Sequence, residues 1–144
     1  GWEHRGIEHD VRDPLPRKLL GRFGCVFADP PYAPEGFALF ISRAIELLKP
    51  DGRVYLCFGA SRRASERGLE KQRLLTEAGL LVEAVIPDFN AYVGAESIGA
   101  RSDLWILRAT PKSRPLVRGR VEGELYSSRS SASKEAEPQE AEPA

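Results

Sequence analysis

Short apolar runs that stop at turn residues set the pattern of the first half of the chain. Residues 23–28 are apolar and are followed by Asp29, Pro30 and Pro31. Residues 53–58 form a second apolar run, which Gly59 closes. Uninterrupted runs of this length are typical of parallel strands that are buried on both faces. Because proline cannot donate to a strand ladder, the first predicted strand ends at the two prolines.

A helical pattern separates these two predicted strands. Over residues 36–49 the apolar positions recur at intervals of three and four, which predicts one buried helix face. That face consists of Phe37, Phe40, Ile41, Ala44 and Leu48. Ser42, Arg43 and Glu46 fall on the outer side of the helix. The Pro-Asp-Gly sequence at residues 50–52 is expected to end the helix and turn the chain.

The second half of the chain continues the alternation of helix and strand. A helix is predicted over residues 65–78, with Gly79 as the left-handed residue that stops it. Residues 81–86 and 104–109 are mostly apolar, with one charged residue each, and predict two further strands. The polar stretch 88–103 between them is long for a loop, and loops of that length are often functional. This order predicts an α/β layered sheet.

Composition narrows the class of protein. A length of 144 residues fits one domain or part of one, and 42% hydrophobic residues suit a globular fold. Net charge is zero and only Arg62, Arg63 and Arg67 cluster, so we expect no nucleic acid partner. There is neither a membrane-length apolar run nor a signal-peptide pattern, so no membrane partner and a cytoplasmic location are expected. Because the chain begins at Gly1 and lacks Met, we expect residue 1 to be a cut.

The predicted domain covers residues 1–126, and residues 127–144 are expected to form a disordered acidic tail. That tail is rich in Ser, Glu, Pro and Ala and has few apolar groups to offset the entropy of ordering. Cys25 and Cys57 lie in apolar runs and are expected to be reduced core thiols. No Cys or His spacing suggests a metal site, so no metal is expected.

The strongest chemical signal is the motif formed by Asp29, Pro30, Pro31 and Tyr32. The prolines hold the backbone rigid and extended, and the Pro30 carbonyl remains free to accept a hydrogen bond. Asp29 adds a carboxylate and Tyr32 an aromatic face, so the motif offers two acceptors and a π surface to an amine. It follows a predicted parallel strand, at the end where ligands bind in such sheets. The alternative is a strand ended by prolines with Asp29 capping a turn.

Other candidate residues have structural alternatives of similar weight. Asp10 is a candidate substrate contact, although a surface ion pair with Arg12 is the favoured interpretation of these two residues alone. Glu35 is placed either to bind a cationic ligand or simply to complement a helix N-terminus.

The predicted loop also contains candidate binding residues. Phe89, Asn90, Tyr92 and Glu96 combine aromatic and acidic groups, which favours a lid over an amine with several charges. The alternative is a solvated connection.

Several motifs occur in an order that resembles a known family. They are the sequence of residues 9–16, residues 27–32, residues 36–49 with Phe40 and Arg43, residues 89–95, and residues 98–104. Asp-Pro-Pro-Tyr after a strand is similar to the motif of the amino-methyltransferases that act on adenine, cytosine or glutamine nitrogens. The whole set, over residues 8–126, resembles the catalytic C-terminal domain of branched-chain polyamine synthases, also called N(4)-bis(aminopropyl)spermidine synthases.

This resemblance implies the C-terminal half of a class I methyltransferase-like, Rossmann-like three-layer sheet. It also implies aminopropyl transfer from decarboxylated S-adenosylmethionine, as co-substrate, to the inner nitrogen of spermidine, which releases methylthioadenosine. Asp29 and the Pro30 carbonyl would hold the acceptor amine, with Pro31 completing the rigid motif. Tyr32 would pack against the amine or the transferring group, and Asp10 would lie near the donor's adenine or the acceptor.

The chain departs from the family pattern in two respects: it lacks the family's N-terminal winged-helix-like domain, and it lacks the early half of the sheet with its glycine- and acid-rich donor motif. It has no Gly-x-Gly turn after a first strand, so we expect the acceptor half of a site, an inactive isolated fragment and an unpaired sheet edge that favours a homodimer. The alternatives are a methyltransferase of the same motif type, which uses S-adenosylmethionine itself, and a non-catalytic product.

Overall fold

A computed structural model describes residues 1–59, 65–91 and 101–125. The elements alternate between strand and helix as expected, and the predicted tail at residues 127–144 lies outside the described residues. In chain order the elements are a 3-10 helix (Arg17–Leu19), β1 (Phe23–Ala28), α1 (Pro34–Leu47), β2 (Leu48–Phe58), α2 (Ser65–Glu77), β3 (Leu80–Ala91) and β4 (Arg101–Ala109).

The four strands form one mixed sheet in the order β1-β2-β4-β3. β1 and β2 are parallel, with Val26 opposite Val54, whereas β4 runs antiparallel to both β2 and β3. The end of β2 therefore pairs with the start of β4, and Asn90 near the end of β3 lies opposite Ser102. This topology places the ends of β1, β2 and β3 at one edge of the sheet.

Both described helices pack on the same face of this sheet. Phe37 and Ile41 of α1 and Leu75 of α2 join one buried cluster with Val54 and Leu56 of β2. All five side chains are at most 1% exposed. The amphipathic pattern in the sequence therefore predicted the buried helix face. In the described part of the chain, one layer of helices packs on one layer of strands.

The opposite face of the sheet is open, which overturns one prediction. β1 was expected to be buried on both faces, yet Phe27 is 64% exposed and Cys25 is exposed as well. These two residues pair with Tyr55 and Arg53 on the face away from both helices. Cys25 is therefore not a core thiol, whereas Cys57, at 2% exposure, is buried as predicted.

The boundaries of several elements differ from the predicted ones. α1 covers Pro34–Leu47, and the expected turn at residues 50–52 lies inside β2. Those residues form a bulge: Phe23 pairs with Leu48, the next pair is Cys25 with Arg53, and Asp51 has a φ of 60°. Gly79, with a φ of 75°, follows α2 as expected.

The long loop predicted over residues 88–103 is shorter than expected. β3 continues to Ala91 and β4 begins at Arg101, so Phe89 and Asn90 lie on a strand. The strand extends past Pro87 because Asp88, at a φ of 51°, absorbs a register shift, and the Asp103 carboxylate accepts a hydrogen bond from the Asp88 amide at 2.9 Å.

The outer side of α1 is covered, contrary to prediction. Ser42 and Arg43 are 0% and 3% exposed. Arg43 donates to the carbonyl oxygens of Val11, at 3.0 Å, and Gly119, at 2.6 Å. Segments from both ends of the described chain therefore cross this side of the helix, which a local periodicity cannot reveal. No helix within the described residues has the length and apolarity needed to cross a membrane.

Candidate functional site

Asp29 and Asn90 both lie near Cys57, at the end of the sheet where β1, β2 and β3 terminate. The Asn90 side-chain amide donates to the Cys57 sulfur at 2.9 Å and to the Ser102 hydroxyl at 3.1 Å. Burial raises the pKa of the Cys57 thiol, the Asn90 hydrogen bond opposes that rise, and the negative charge of Asp29 adds to it. That charge effect places Asp29 near Cys57. Two residues predicted from separate motifs thus lie at one edge, with the Asp29 side chain exposed.

The two prolines after Asp29 are buried against the start of α1. A Cβ atom on Gly36 would lie 2.8 Å from Cγ of Pro31 and 3.3 Å from the Leu125 carbonyl oxygen. The glycine therefore allows the proline ring to lie directly on the first turn of the helix. This contact holds the motif rigidly, as its two prolines predict, and leaves Tyr32 46% exposed at the surface.

Lys71 of α2 lies beneath the Tyr32 ring, a relationship that sequence reasoning missed. Its Nζ atom is 5.0 Å from the centroid of that ring, and the side chain is 3% exposed. Burial, followed by the charge of Arg67, lowers the pKa of Lys71. The sequence did contain a signal: Lys71, Leu74, Leu75 and Ala78 follow helical spacing, so the lysine occupies a core position of the helix.

Asp10 forms the ion pair with Arg12 that its neighbourhood suggested. Two nitrogens of Arg12 reach the carboxylate, at 2.7 Å from Nη2 and 3.0 Å from Nε. These hydrogen bonds lower the pKa of Asp10 to about 2. The pair lines an open cleft of about 600 Å³ together with Phe40 of α1 and Leu125. Since the Leu125 carbonyl also lies against the first turn of α1, the cleft borders the helix that follows the motif.

The other predicted contacts have mixed outcomes. Glu35 is exposed in the first turn of α1, where the helix dipole favours an acid, and it lines a groove of about 360 Å³ with Leu74 and Val121. Phe89 is 52% exposed on β3. Tyr92 and Glu96 lie outside the described residues. Over the described ranges, no group of three or more His, Cys, Asp or Glu side chains is arranged to hold a metal ion.

The chain is similar to named synthases in sequence. The family model described as branched-chain polyamine synthase A C-terminal domain matches residues 1–129. The N(4)-bis(aminopropyl)spermidine synthase of Thermococcus kodakarensis is 39% identical over 97 residues, or 65% of this chain and 27% of that protein. The synthase of the same name from Methanocaldococcus jannaschii is 36% identical over 90 residues, or 60% of this chain and 25% of that protein.

The fold has a counterpart among solved structures. A mutein of the Thermus thermophilus branched-chain polyamine synthase, in complex with N4-aminopropylspermidine and 5′-methylthioadenosine, superposes with a TM-score of 0.68. Identity is 24%, over 82% of this chain and 39% of that one, so the likeness is one of fold. This confirms the expected Rossmann-like class.

The chain spans about a quarter of the length of the curated relatives it matches. The family model covers all of the described residues. The chain therefore belongs to the branched-chain polyamine synthase family, within its C-terminal domain.

Proposed function

We propose that the protein transfers an aminopropyl group from decarboxylated S-adenosylmethionine to the inner nitrogen of spermidine. The observation that carries the proposal is the position of Asp29: an exposed carboxylate at the carboxyl end of β1, held by buried prolines and adjoined by Tyr32. Family membership supports the choice of amine. The related Thermus enzyme was solved with a branched polyamine and methylthioadenosine.

The reaction is a bimolecular displacement. The lone pair of the neutral acceptor nitrogen attacks the methylene carbon next to the sulfonium, the C–N bond forms, and the C–S bond breaks with its electron pair on sulfur. Methylthioadenosine leaves, and the new ammonium carries the proton of the acceptor nitrogen. Asp29 and the Pro30 carbonyl hold the N–H and stabilise this charge. Fixing the amine in the attacking geometry is the main contribution that such a site can make.

The remaining candidate residues take supporting roles in this proposal. In this proposal Asn90, which lies at the same edge as Asp29, contacts the acceptor. Phe89 occupies the neighbouring position on β3. Asp10, oriented by Arg12 in a cleft of ordinary ligand size, contacts the donor's adenine or the acceptor. Glu35, Tyr92 and Glu96 are proposed to attract the charged ends of the polyamine.

The test is product analysis with the complete gene product. Spermidine and decarboxylated S-adenosylmethionine should yield a branched polyamine and methylthioadenosine, identified by chromatography and mass spectrometry. Asp29→Asn should lower kcat/KM by about 10²- to 10⁴-fold, the range for a group that assists proton and charge movement. Asp51→Asn is the matched control, because that acid lies in the bulge between the paired residues Leu48 and Arg53, at the start of β2. Linear products alone, or none, would reject the proposal.

The second candidate is amino-methyl transfer, favoured by the same motif after a strand. It requires methyl transfer from S-adenosylmethionine to an amide or base nitrogen. The charge of the chain is balanced, which disfavours a nucleic acid substrate. The same assay with S-adenosylmethionine as donor distinguishes the two reactions.

A further inference from the structure

The ammonium group of Lys71 is surrounded by aromatic rings. Its Nζ atom lies 5.0 Å from the centroid of Tyr32, 5.7 Å from that of Phe37 and 5.6 Å from that of Phe58. Within residues 1–59, 65–91 and 101–125, the ammonium has no hydrogen-bond or ion-pair partner. A lysine at 3% exposure is normally paired, because burial of an uncompensated charge is costly. Desolvation therefore works against the charged form of Lys71, in line with its lowered pKa.

Two of the three rings form a fixed wall. Phe37 and Phe58 are 0% and 3% exposed, and they meet edge to face at 5.2 Å. Phe58 also stacks on Trp105 at 4.6 Å. Tyr32 is the exception, since it is 46% exposed and belongs to the amine-binding motif. The ammonium thus links a rigid part of the core to the one ring that faces solvent.

We propose that Lys71 is a positioning residue, which holds one face of the Tyr32 ring so that the other face receives the acceptor amine. The inference rests on the proposed function for the identity of that amine. Attraction between a cation and a ring face increases as water is removed from the pair, and here the Lys71 partner is buried. A ring that already carries one cation also attracts a second cation less. The arrangement therefore favours the neutral, nucleophilic form of the acceptor nitrogen over its protonated form.

A purely structural role makes a different prediction. Lys71→Met keeps the length of the side chain and removes the buried charge, so the variant should fold and should be more stable than the wild type. If Lys71 only fills space, catalysis should be unchanged. If it positions Tyr32, the more stable variant should use spermidine less well.

Steady-state kinetics with the complete gene product separate these outcomes. We expect Lys71→Met to lower kcat/KM for spermidine by about 5- to 30-fold, the range for loss of one cation–π contact. Lys71→Arg should recover part of the loss, because guanidinium also stacks on rings. Gln72→Met, at an exposed neighbouring position of α2, is the matched control and should have no effect. Wild-type kinetics for Lys71→Met would overturn the inference.

A double-mutant cycle tests whether Lys71 acts through the ring. In a Tyr32→Leu background, which removes the ring, Lys71→Met should cause no further loss in kcat/KM. Losses that simply add would show that Lys71 acts independently of Tyr32 and would overturn the inference.

A spectroscopic readout is independent of turnover. With ¹³C-labelled tyrosine, the ring signal of Tyr32 is assigned by Tyr32→Phe and should shift in Lys71→Met, while that of Tyr55 should not. An unmoved Tyr32 signal would overturn the inference even for an enzyme that makes branched polyamine. A shifted signal and weaker spermidine binding, in a protein that forms no branched product, would reject the proposed function and support the role of Lys71.

Discussion

The side-chain amide of Asn90 donates a hydrogen bond to the sulfur of Cys57 at 2.9 Å. Cys57 is 2% exposed and its thiol pKa is raised, chiefly by burial. Since the thiolate is the reactive form, Cys57 should react slowly with iodoacetamide at neutral pH, and the exposed Cys25 should react first. Mass spectrometry of digested samples measures both rates. Equal rates would contradict the burial of Cys57.

The same thiol can report on the position of Asp29. The Asp29 charge raises the Cys57 pKa, so Asp29→Asn should move the midpoint of the pH–rate curve for Cys57 alkylation to lower pH. The exposed Cys25 serves as an internal control for the activity of the reagent. If the Cys57 midpoint is also unchanged, Asp29 does not lie at this edge.

Gly36→Ala should destabilise the protein. The added methyl group would lie 2.8 Å from the Pro31 ring, so helix or motif must shift. Overpacking typically costs about 1–3 kcal/mol, which exceeds the gain of about 1 kcal/mol for replacing glycine inside a helix. Gly24→Ala is the control, because nothing lies within 4 Å of its Cβ position. Urea denaturation measures both changes. A Gly36→Ala protein as stable as the wild type would refute the contact with Pro31.

Ser42→Ala should lower the free energy of unfolding by about 1–3 kcal/mol, the cost of leaving buried donors unsatisfied. The Ser42 hydroxyl donates to the Ala38 carbonyl at 2.6 Å and accepts from the amides of Leu116 and Val117. Thr76→Ala is a close control, because Thr76 makes the same contact within a helix, to Gln72 at 3.1 Å, but is exposed. Denaturation curves that show equal losses would mean that the two amides do not depend on Ser42.

Lys71 should make stability depend on alkaline pH. Its pKa is lower in the folded protein than the ordinary value of 10.5, so the unfolded chain binds more protons between these two pKa values. The free energy of unfolding should therefore rise with pH through that window, as the cost of the buried charge is lost. Lys71→Met should lack this rise, and its advantage over the wild type should shrink as pH increases.

Two neighbouring groups must be considered in that experiment. The guanidinium of Arg67 contributes to the lowered pKa of Lys71 and is present in both proteins. The Tyr32 ring lies against Lys71 and carries an ionisable hydroxyl, so both proteins should be compared in a Tyr32→Phe background. Parallel pH profiles of urea denaturation for the two proteins would contradict the placement of Lys71.

The site motif was predictable because its signals are local. Adjacent residues encode the strand that stops at Asp29, the two prolines and the amphipathic helix. The structure has these features in that order. Asn90 is a candidate from its motif, whereas its hydrogen bond to Cys57 depends on the antiparallel register of β3 and β4. Register across strands is set by tertiary packing, which no single segment encodes.

The failures share a physical cause. Arg43 was predicted to be exposed because its neighbours within the helix are polar, but its partners come from distant segments. β1 was predicted to be buried from its composition, but composition does not say which faces are covered. The charge of Lys71 does not predict burial, yet the residue lies three positions before Leu74 on a buried helix face.

Arg43 links the segment around Val11 to the segment around Gly119. Its guanidinium has acceptors on Val11 and Arg12 from one segment and on Gly119 from another. If either segment detaches, a buried charge loses part of its solvation, which weakens the attachment of the other. Limited proteolysis near Gly119 should therefore also expose the segment that contains Asp10 and Arg12. Cleavage of one segment would thus disturb the cleft that the other segment lines.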